Sequence, residues 1–329
     1  MQVPQFTPIR VIGSGTFGTS YSFNIGCVIE AYDLINKKIV AIKRIQKTSK
    51  KVSREYKILL LLKGNPYAVQ MQDIFYTEEG KYVQNIVMEY LPNSLEDYIQ
   101  THINQRENIP LTSIKTIMHQ VLVGLSSIHS KGISHRDVKP DNILLTKELG
   151  VKLGDFGSAK IISDSKNISH TMNKYYRPPE MLFGFSDYST EVDVWSAGCV
   201  LAELFLKKPL FPGKNEGTQI FELLVILGTP SKEDKEYLYR NLTKGLKKKF
   251  ERIEEYKAID FKELLPKQYP TTALNLVSDL LSKMLTWNPT KRIDAKTASN
   301  HSFFNFFQYT YSHIKVILKY IINDVPCVY

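Results

Sequence analysis

Three oxygen-bearing side chains, Asp137, Asn142 and Asp155, carry the strongest chemical signal in this sequence. The first two lie in His135-Arg136-Asp137-Val138-Lys139-Pro140-Asp141-Asn142, and Asp155-Phe156-Gly157 begins thirteen positions after that asparagine. A carboxylate able to accept a hydroxyl proton, followed by two hard oxygen ligands of the kind magnesium prefers, is what phosphoryl transfer from ATP requires. The transferring group carries spread negative charge, so catalysis rests on positioned cations and a proton acceptor rather than on a covalent nucleophile. Asp137 suits the acceptor; Asn142 and Asp155 suit Mg2+. Taken alone, His135-Arg136-Asp137 reads equally well as a buried polar turn, and the motifs on either side decide between the two.

Upstream, Gly13-Ser14-Gly15-Thr16-Phe17-Gly18 follows the β-prone stretch Phe6 to Ile12. Dinucleotide folds use the same letters, but there the glycines open a helix, with an acidic residue about 20 positions on. Here Cys27 to Ala31 and Val40 to Lys43 are both strand-like. Gly13, Gly15 and Gly18 would therefore join two strands as a flap whose backbone approaches phosphates. Lys43 would orient the α and β phosphates, itself held by a helix carboxylate. Glu55, in the helical stretch Ser53 to Leu62, is the candidate. On their own these two charges would read as solvated surface; their place in the ordered set makes them a site.

These groups need two kinds of scaffold. The first 90 residues are mostly strand-like with one helix, and Glu89-Tyr90-Leu91-Pro92-Asn93 reads as a short connector. Beyond it the apolar period becomes helical: Ile114, Ile117, Met118, Val121, Leu122, Leu125 and Ile128 predict an amphipathic helix ending before Gly132. Ser189 to Phe205 is apolar on nearly all sides and predicts a buried central helix, and Leu274 to Leu285 a further one. The aromatic tail from Phe303 onward is expected to dock on its own domain.

Composition excludes several classes. With 329 residues, 43% of them hydrophobic, the chain can bury a large core in about two domains. Its three scattered cysteines predict reduced thiols in the cytosol or nucleus rather than a disulfide framework or zinc site. No apolar run reaches the length of a membrane span, Gln2 excludes myristoylation, and Cys327 misses the prenylation pattern, so no membrane partner is expected. The net charge of +10 raises nucleic acid as a partner, but the basic stretches Lys43 to Lys57 and Lys244 to Lys249 lack base-positioning signatures. Acidic or phosphorylated proteins are the expected partners.

From about Pro8 to Phe307 the chain resembles eukaryotic protein kinases, and within them the glycogen synthase kinase 3 branch of the CMGC group. The resemblance rests on Val151-Lys152-Leu153-Gly154-Asp155-Phe156-Gly157-Ser158-Ala159-Lys160, on Tyr175-Tyr176-Arg177-Pro178-Pro179-Glu180, on Asp193 to Leu204, and on Leu227-Gly228-Thr229-Pro230. It implies an α+β bilobal fold: N-lobe 1–88, hinge 89–94, C-lobe 95–307 and a tail 308–329. Lys139, two residues after Asp137, implies Ser/Thr acceptors, and Lys139 would neutralise the moving phosphoryl group. Val28 would cover the adenine, Met88 would be the gatekeeper, Glu89 and Leu91 would offer main-chain hydrogen bonds, and Ile12, Ala41 and Leu144 would complete the ATP site. Glu180 would pair with Arg292. The family recognises substrates primed by a phosphate four residues C-terminal to the target through three cations, here matched by Arg54, Arg136 and Lys160.

The chain departs from the family in places. His170 stands where the family has an activation-loop tyrosine, so activity without phosphotyrosine is expected there. Thr19 to Ile25 reads as an extra segment that would lengthen the flap, and Tyr237 to Ile259 does not match the family's scaffold-docking segment, so the resemblance carries no expectation of scaffold-peptide binding. Cyclin-dependent and mitogen-activated kinases share the core, but the cyclin-contacting helix sequence and the Thr-x-Tyr pair are missing. A pseudokinase scaffold would be expected to lack Lys43, Asp137 or Asp155; all three are present.

Overall fold

The structure, a computed structural model, describes residues 5–14, 26–47, 52–78, 82–162, 173–242, 247 and 254–305. Gly15, Gly18, the Thr19–Ile25 segment, His170, most of the basic cluster around Lys247 and the tail beyond Asn305 lie outside the described residues.

Alternating apolar residues build the first lobe. Strands β1 (Phe6–Ser14), β2 (Cys27–Asp33), β3 (Lys38–Lys47), β4 (Met71–Glu78) and β5 (Tyr82–Glu89) form an antiparallel sheet in the order β1-β2-β3-β5-β4. Cys27, Ile29, Ala31, Val40, Ile42 and Val87 share one face and pack with Phe6 and Phe75 as a small core. Period-two alternation sends Val28, Ala41, Lys43 and Met88 to the other face. Val28 stands opposite Lys43, and Ala41 opposite Met88. A one-residue slip of β3 would drive Lys43 into the apolar core, which fixes the register. Between β3 and β4 comes helix α1 (Arg54–Leu61), N-capped by Ser53, whose hydroxyl accepts from Tyr56 N at 3.1 Å, and burying Glu55, Ile58 and Leu59.

The second lobe is helical. After β6 (Asn93–Ser94) come α2 (Leu95–Asn104), opened by a Ser94/Asp97 capping box, and α3 (Leu111–His129). α3 buries all seven residues of the expected apolar stripe and ends before Gly132. The short strands β7 (Ile133–Ser134), β8 (Ile143–Leu145), β9 (Val151–Leu153) and β10 (Lys160–Ile161) pair as β6-β8-β9 and β7-β10. Then follow α4 (Pro179–Leu182), α5 (Glu191–Leu206), α6 (Glu216–Leu227), α7 (Lys232–Asn241), α8 (Phe261–Leu264), α9 (Thr271–Met284) and α10 (Ala295–Ser299). α5 is buried from Val192 to Phe205, the central helix its composition predicts. Gly198 admits the next layer there: a β-carbon on it would sit 2.9 Å from Leu285 Cδ2. Phe303 and Phe304 are buried where the chain runs back over α3 and α9, so the start of the aromatic tail docks as expected.

Candidate active site

The loop from β7 to β8 carries Arg136, Asp137, Lys139 and Asn142, and its shape depends on a residue 57 positions downstream of Arg136. Asp193, fully buried on α5, accepts from His135 N at 2.8 Å, Arg136 N at 2.7 Å, Ser134 Oγ at 3.1 Å and His129 Nε2 at 2.9 Å. Arg136 sits at φ 61°, a left-handed conformation costly for a non-glycine residue, and the two backbone hydrogen bonds to Asp193 hold it there. Burial alone would raise the Asp193 carboxyl, but the His129 and backbone donors outweigh it and hold the pKa below the usual range. His135 links this loop to the next one. Its Nδ1 accepts from Asp137 N at 3.3 Å, so the proton sits on Nε2, which donates to Gly154 O at 2.8 Å.

Asp137 is thereby presented at the loop tip. Asn142 Nδ2 donates to Asp137 O and to Asp137 Oδ2, both at 2.8 Å, and Lys139 Nζ stands 3.8 Å from that same Oδ2. Both amide hydrogens of Asn142 are thus spent on Asp137, while no described residue takes its amide oxygen. That oxygen is the atom a magnesium ion would use.

The second half of the site joins the lobes. Lys43 Nζ lies 2.8 Å from Glu55 Oε1 and 2.6 Å from Asp155 Oδ1. Burial works against the Lys43 charge, but the two carboxylates outweigh it and raise its pKa. Burial pushes Glu55 upward with Lys43 opposing, whereas at Asp155 the Lys43 ammonium and Gly157 N–H overcome burial and lower the pKa. Asp155 is held at φ 49° with its Oδ1 accepting from Gly157 N at 3.1 Å. Gly157 keeps this corner clear: a β-carbon would lie 3.0 Å from both Asp155 Oδ1 and Lys43 Nζ and press on the pair. The result is a fixed ammonium beside a half-exposed carboxylate, with Asn142 and Asp137 on the adjoining loop.

Around this centre the strands set out a slot. Gly13 pairs with Val28, Val28 with Lys43, and Ala41 with Met88, so flap, lysine and gatekeeper positions follow from one register. Leu144, on β8, is half-buried against the main core. Ala41 and Met88 are buried, and Ile12 is exposed. Leu91, in the middle of the connector, packs against the main core.

Two kinds of comparison bear on this arrangement. Residues 6–304 match the protein kinase domain family. Protein kinase gsk3 of Schizosaccharomyces pombe is 35% identical over 305 residues, covering 91% of this chain and 74% of that protein. Glycogen synthase kinase 1 of Pyricularia oryzae is 33% identical over 92% of this chain and 73% of its own length. The probable serine/threonine-protein kinase glkA of Dictyostelium discoideum is 36% identical over 90% of this chain and 58% of that protein. The chain belongs to the protein kinase family. Within it, the chain is an ATP-dependent serine/threonine protein kinase of the glycogen synthase kinase 3 type.

The kinase's remaining candidates fall into two groups. Lys160 pairs with Ser134 across β10 and β7, two residues from Arg136, and Arg136 Nε donates to Ser158 O at 2.7 Å. α1, with exposed Arg54 on its first turn, packs against β10 and the Phe156–Ser158 turn. The three cations thus share one region, Arg136 and Lys160 buried and Arg54 open to solvent. Glu180 and Arg292 meet as the resemblance implies, at 2.7 and 3.0 Å.

A supporting network escaped the sequence. The Gln70 carboxamide closes the turn after α1, accepting from Gly64 N at 2.7 Å and donating to Asn65 O and Ala68 O at 2.8 Å. Gln70 N donates to Glu89 Oε1 at 2.7 Å, and that oxygen also meets Lys152 Nζ at 2.8 Å. The Glu89 side chain therefore ties the turn after α1 to β9, while its backbone belongs to the adenine connector. Gln and Lys at such separations leave no local pattern; only the fold shows it.

Proposed function

We propose that this kinase acts preferentially on proteins already phosphorylated four residues C-terminal to the target Ser or Thr, with Arg54, Arg136 and Lys160 receiving that phosphate. The observation that carries the reading is the pairing of Lys160 with Ser134 beside Arg136, with α1 packed on the same β10 strand. Arginine meets a phosphate dianion through paired hydrogen bonds. Arg54, exposed at the helix start, is free to swing to such a ligand at little cost.

Bound ATP with Mg2+ would supply the phosphoryl group and neutralise its charge. Asp155 and the Asn142 oxygen fit the metal, and Lys43, fixed by Glu55, fits the phosphates. Asp137 would take the proton of the substrate hydroxyl while Lys139, 3.8 Å from its carboxylate, screens the developing charge. Val28, Ala41, Met88 and Leu144 would enclose the adenine. Phosphorylated proteins in the cytosol or nucleus are the proposed partners, supported by the buried Cys27 and Cys199, neither of which is in a disulfide. No described helix is long and apolar enough to cross a membrane.

The test is turnover of a matched pair of peptides, with and without phosphoserine four residues after the target. Arg54→Ala should lower turnover of the phosphorylated peptide by roughly tenfold to a hundredfold, from about 1.5–3 kcal/mol per charge-assisted hydrogen bond, and spare the other. Equal losses on both would place the damage in the neighbouring Lys43–Glu55 pair and overturn the reading.

A further inference from the structure

Two neighbouring side chains leave the connector toward different lobes. Glu89 reaches Gln70 N and Lys152, whereas Tyr90 reaches the strands that roof the ATP slot. Arg10 Nη2 on β1 donates to the Tyr90 hydroxyl at 3.3 Å, and Arg10 Nε donates to Glu30 Oε2 on β2 at 2.8 Å. Burial and a hydrogen bond to the Glu30 carboxylate both push the Tyr90 pKa up, so the hydroxyl keeps its proton and donates it in that bond. The three groups close a ring of tyrosine, carboxylate and guanidinium.

This ring crosses the sheet. In the order β1-β2-β3-β5-β4 the connector continues β5, so β3 lies between it and the ribbon of β1 and β2. The backbone ladder joins the ribbon to the rest of the sheet through β3, and Phe6, stacked on Phe75 at 5.4 Å, pins its core face. Arg10 and Glu30 stand opposite each other in register, and alternation puts Glu30 on the face of Val28 rather than that of Cys27, Ile29 and Ala31. Val28 is two residues, about 7 Å, along β2 from Glu30, and Leu91 directly follows Tyr90. The ring therefore spans the mouth of the slot, from its roof to the stretch that would meet adenine. Glu30 is 7% exposed, but the Arg10 side chain is 63% exposed, and an ion pair so open to water adds little to global stability. What the ring does fix is the distance from roof to connector.

We propose that Tyr90, Arg10 and Glu30 form a clasp that holds the β1–β2 ribbon over the connector, and that Tyr90 is a positioning residue for the nucleotide. It acts on ATP and ADP alike and leaves the transfer step to Lys43, Asp137 and Asp155. A roof already in place when the nucleotide arrives loses less freedom on binding, so the clasp shows itself in nucleotide affinity.

Two substitutions in the full chain test it. Tyr90→Phe keeps the aromatic ring and removes the hydroxyl, and Arg10→Met keeps the stem and removes the guanidinium. Each should raise KM for ATP about fivefold and weaken the binding of ADP with Mg2+, titrated by calorimetry, by the same factor. Turnover at saturating ATP should stay within about twofold, with KM for the peptide and Tm unchanged. The double variant should lose no more than the more affected single variant, because both substitutions open one ring. A lower Tm with both nucleotide constants at their native values would make the ring merely structural and overturn the proposal. Losses that multiply in the double variant would also overturn it, by placing Tyr90 and Arg10 on the nucleotide separately.

Discussion

Two cation–carboxylate pairs tie distant parts of this chain together, and they are built in opposite ways. Arg292 meets Glu180 through both guanidinium ends at 2.7 and 3.0 Å, donates further to Glu191 O and Thr286 O, and lies over the Trp195 ring at 5.1 Å. Both side chains are essentially inaccessible, at 0% and 1% exposure. Lys43 shares one ammonium between Glu55 and Asp155, and the Asp155 side chain is 48% exposed. A planar fork held at both ends and shut off from solvent locks α4 to the 286–292 segment and leaves no exposed charge for a ligand. A point charge divided between two carboxylates, one of them facing solvent, keeps capacity for phosphate and metal. The difference separates a structural pair from a working one although the chemistry of the groups is alike.

The comparison is broken most forcefully at the working pair. Lys43→Met or Asp155→Asn should leave the fold intact and lower phosphate transfer by at least about a thousandfold, the scale of losing a group that handles transition-state charge. Circular dichroism and steady-state turnover on the same sample check both halves of that expectation.

At the structural pair the expectation reverses. Glu180→Gln leaves a buried guanidinium short of its counter-charge and should cost about 3–5 kcal/mol of stability. In a chain of this size that lowers Tm by about 10 °C, read by calorimetry, while turnover per folded molecule changes little.

A fourth carboxylate sharpens the contrast by titrating. Burial pushes Glu203 up to about 7, with the hydrogen bond from Tyr176 at 2.8 Å opposing. Its ordinary value is 4.5, so the folded chain binds this proton more tightly than the unfolded one. The stabilisation is complete below the lower value and is lost as pH rises through about 7, about 3 kcal/mol in all. Urea unfolding at about pH 5 and about pH 8 should show this loss in the native chain and a flatter dependence in Glu203→Gln.

How much of this was legible beforehand follows from sequence distance. Asp137, Asn142 and Asp155 stand in short runs whose order states their chemistry, and Lys43 in a strand whose alternation already faces it away from the small core. The helix stripe from Ile114 to Ile128 was readable because burial on a helix repeats every three or four residues. Asp193 was visible only as part of a resemblance, because its task is to hold backbone N–H groups at His135 and Arg136, and backbone needs leave no side-chain signature. Gln70, Glu89 and Lys152 were hidden for a related reason: each is an ordinary polar residue until folding brings the turn after α1, the connector and β9 together. Where the chain uses residues for what they react with, pattern suffices; where it uses them to hold other residues still, pattern is silent.

The smallest effect belongs to the exposed pairs. Lys267 and Glu263, 3.0 Å apart and about 60% exposed, should contribute no more than about 0.5 kcal/mol, so Lys267→Ala should leave Tm within about 2 °C. A larger shift would mean that exposure is a poor guide to which pairs matter in this molecule.

The most direct measurement takes Asp155→Asn and Glu180→Gln side by side, with phosphate transfer from ATP to a phosphorylated peptide and thermal unfolding recorded on each preparation. The account predicts that Asp155→Asn keeps its Tm within a few degrees and loses about a thousandfold or more in turnover. Glu180→Gln should melt about 10 °C lower and stay within about tenfold of native turnover below its melting point. Near-native turnover in Asp155→Asn would contradict the assignment of the Lys43, Glu55 and Asp155 cluster as the catalytic centre of this kinase.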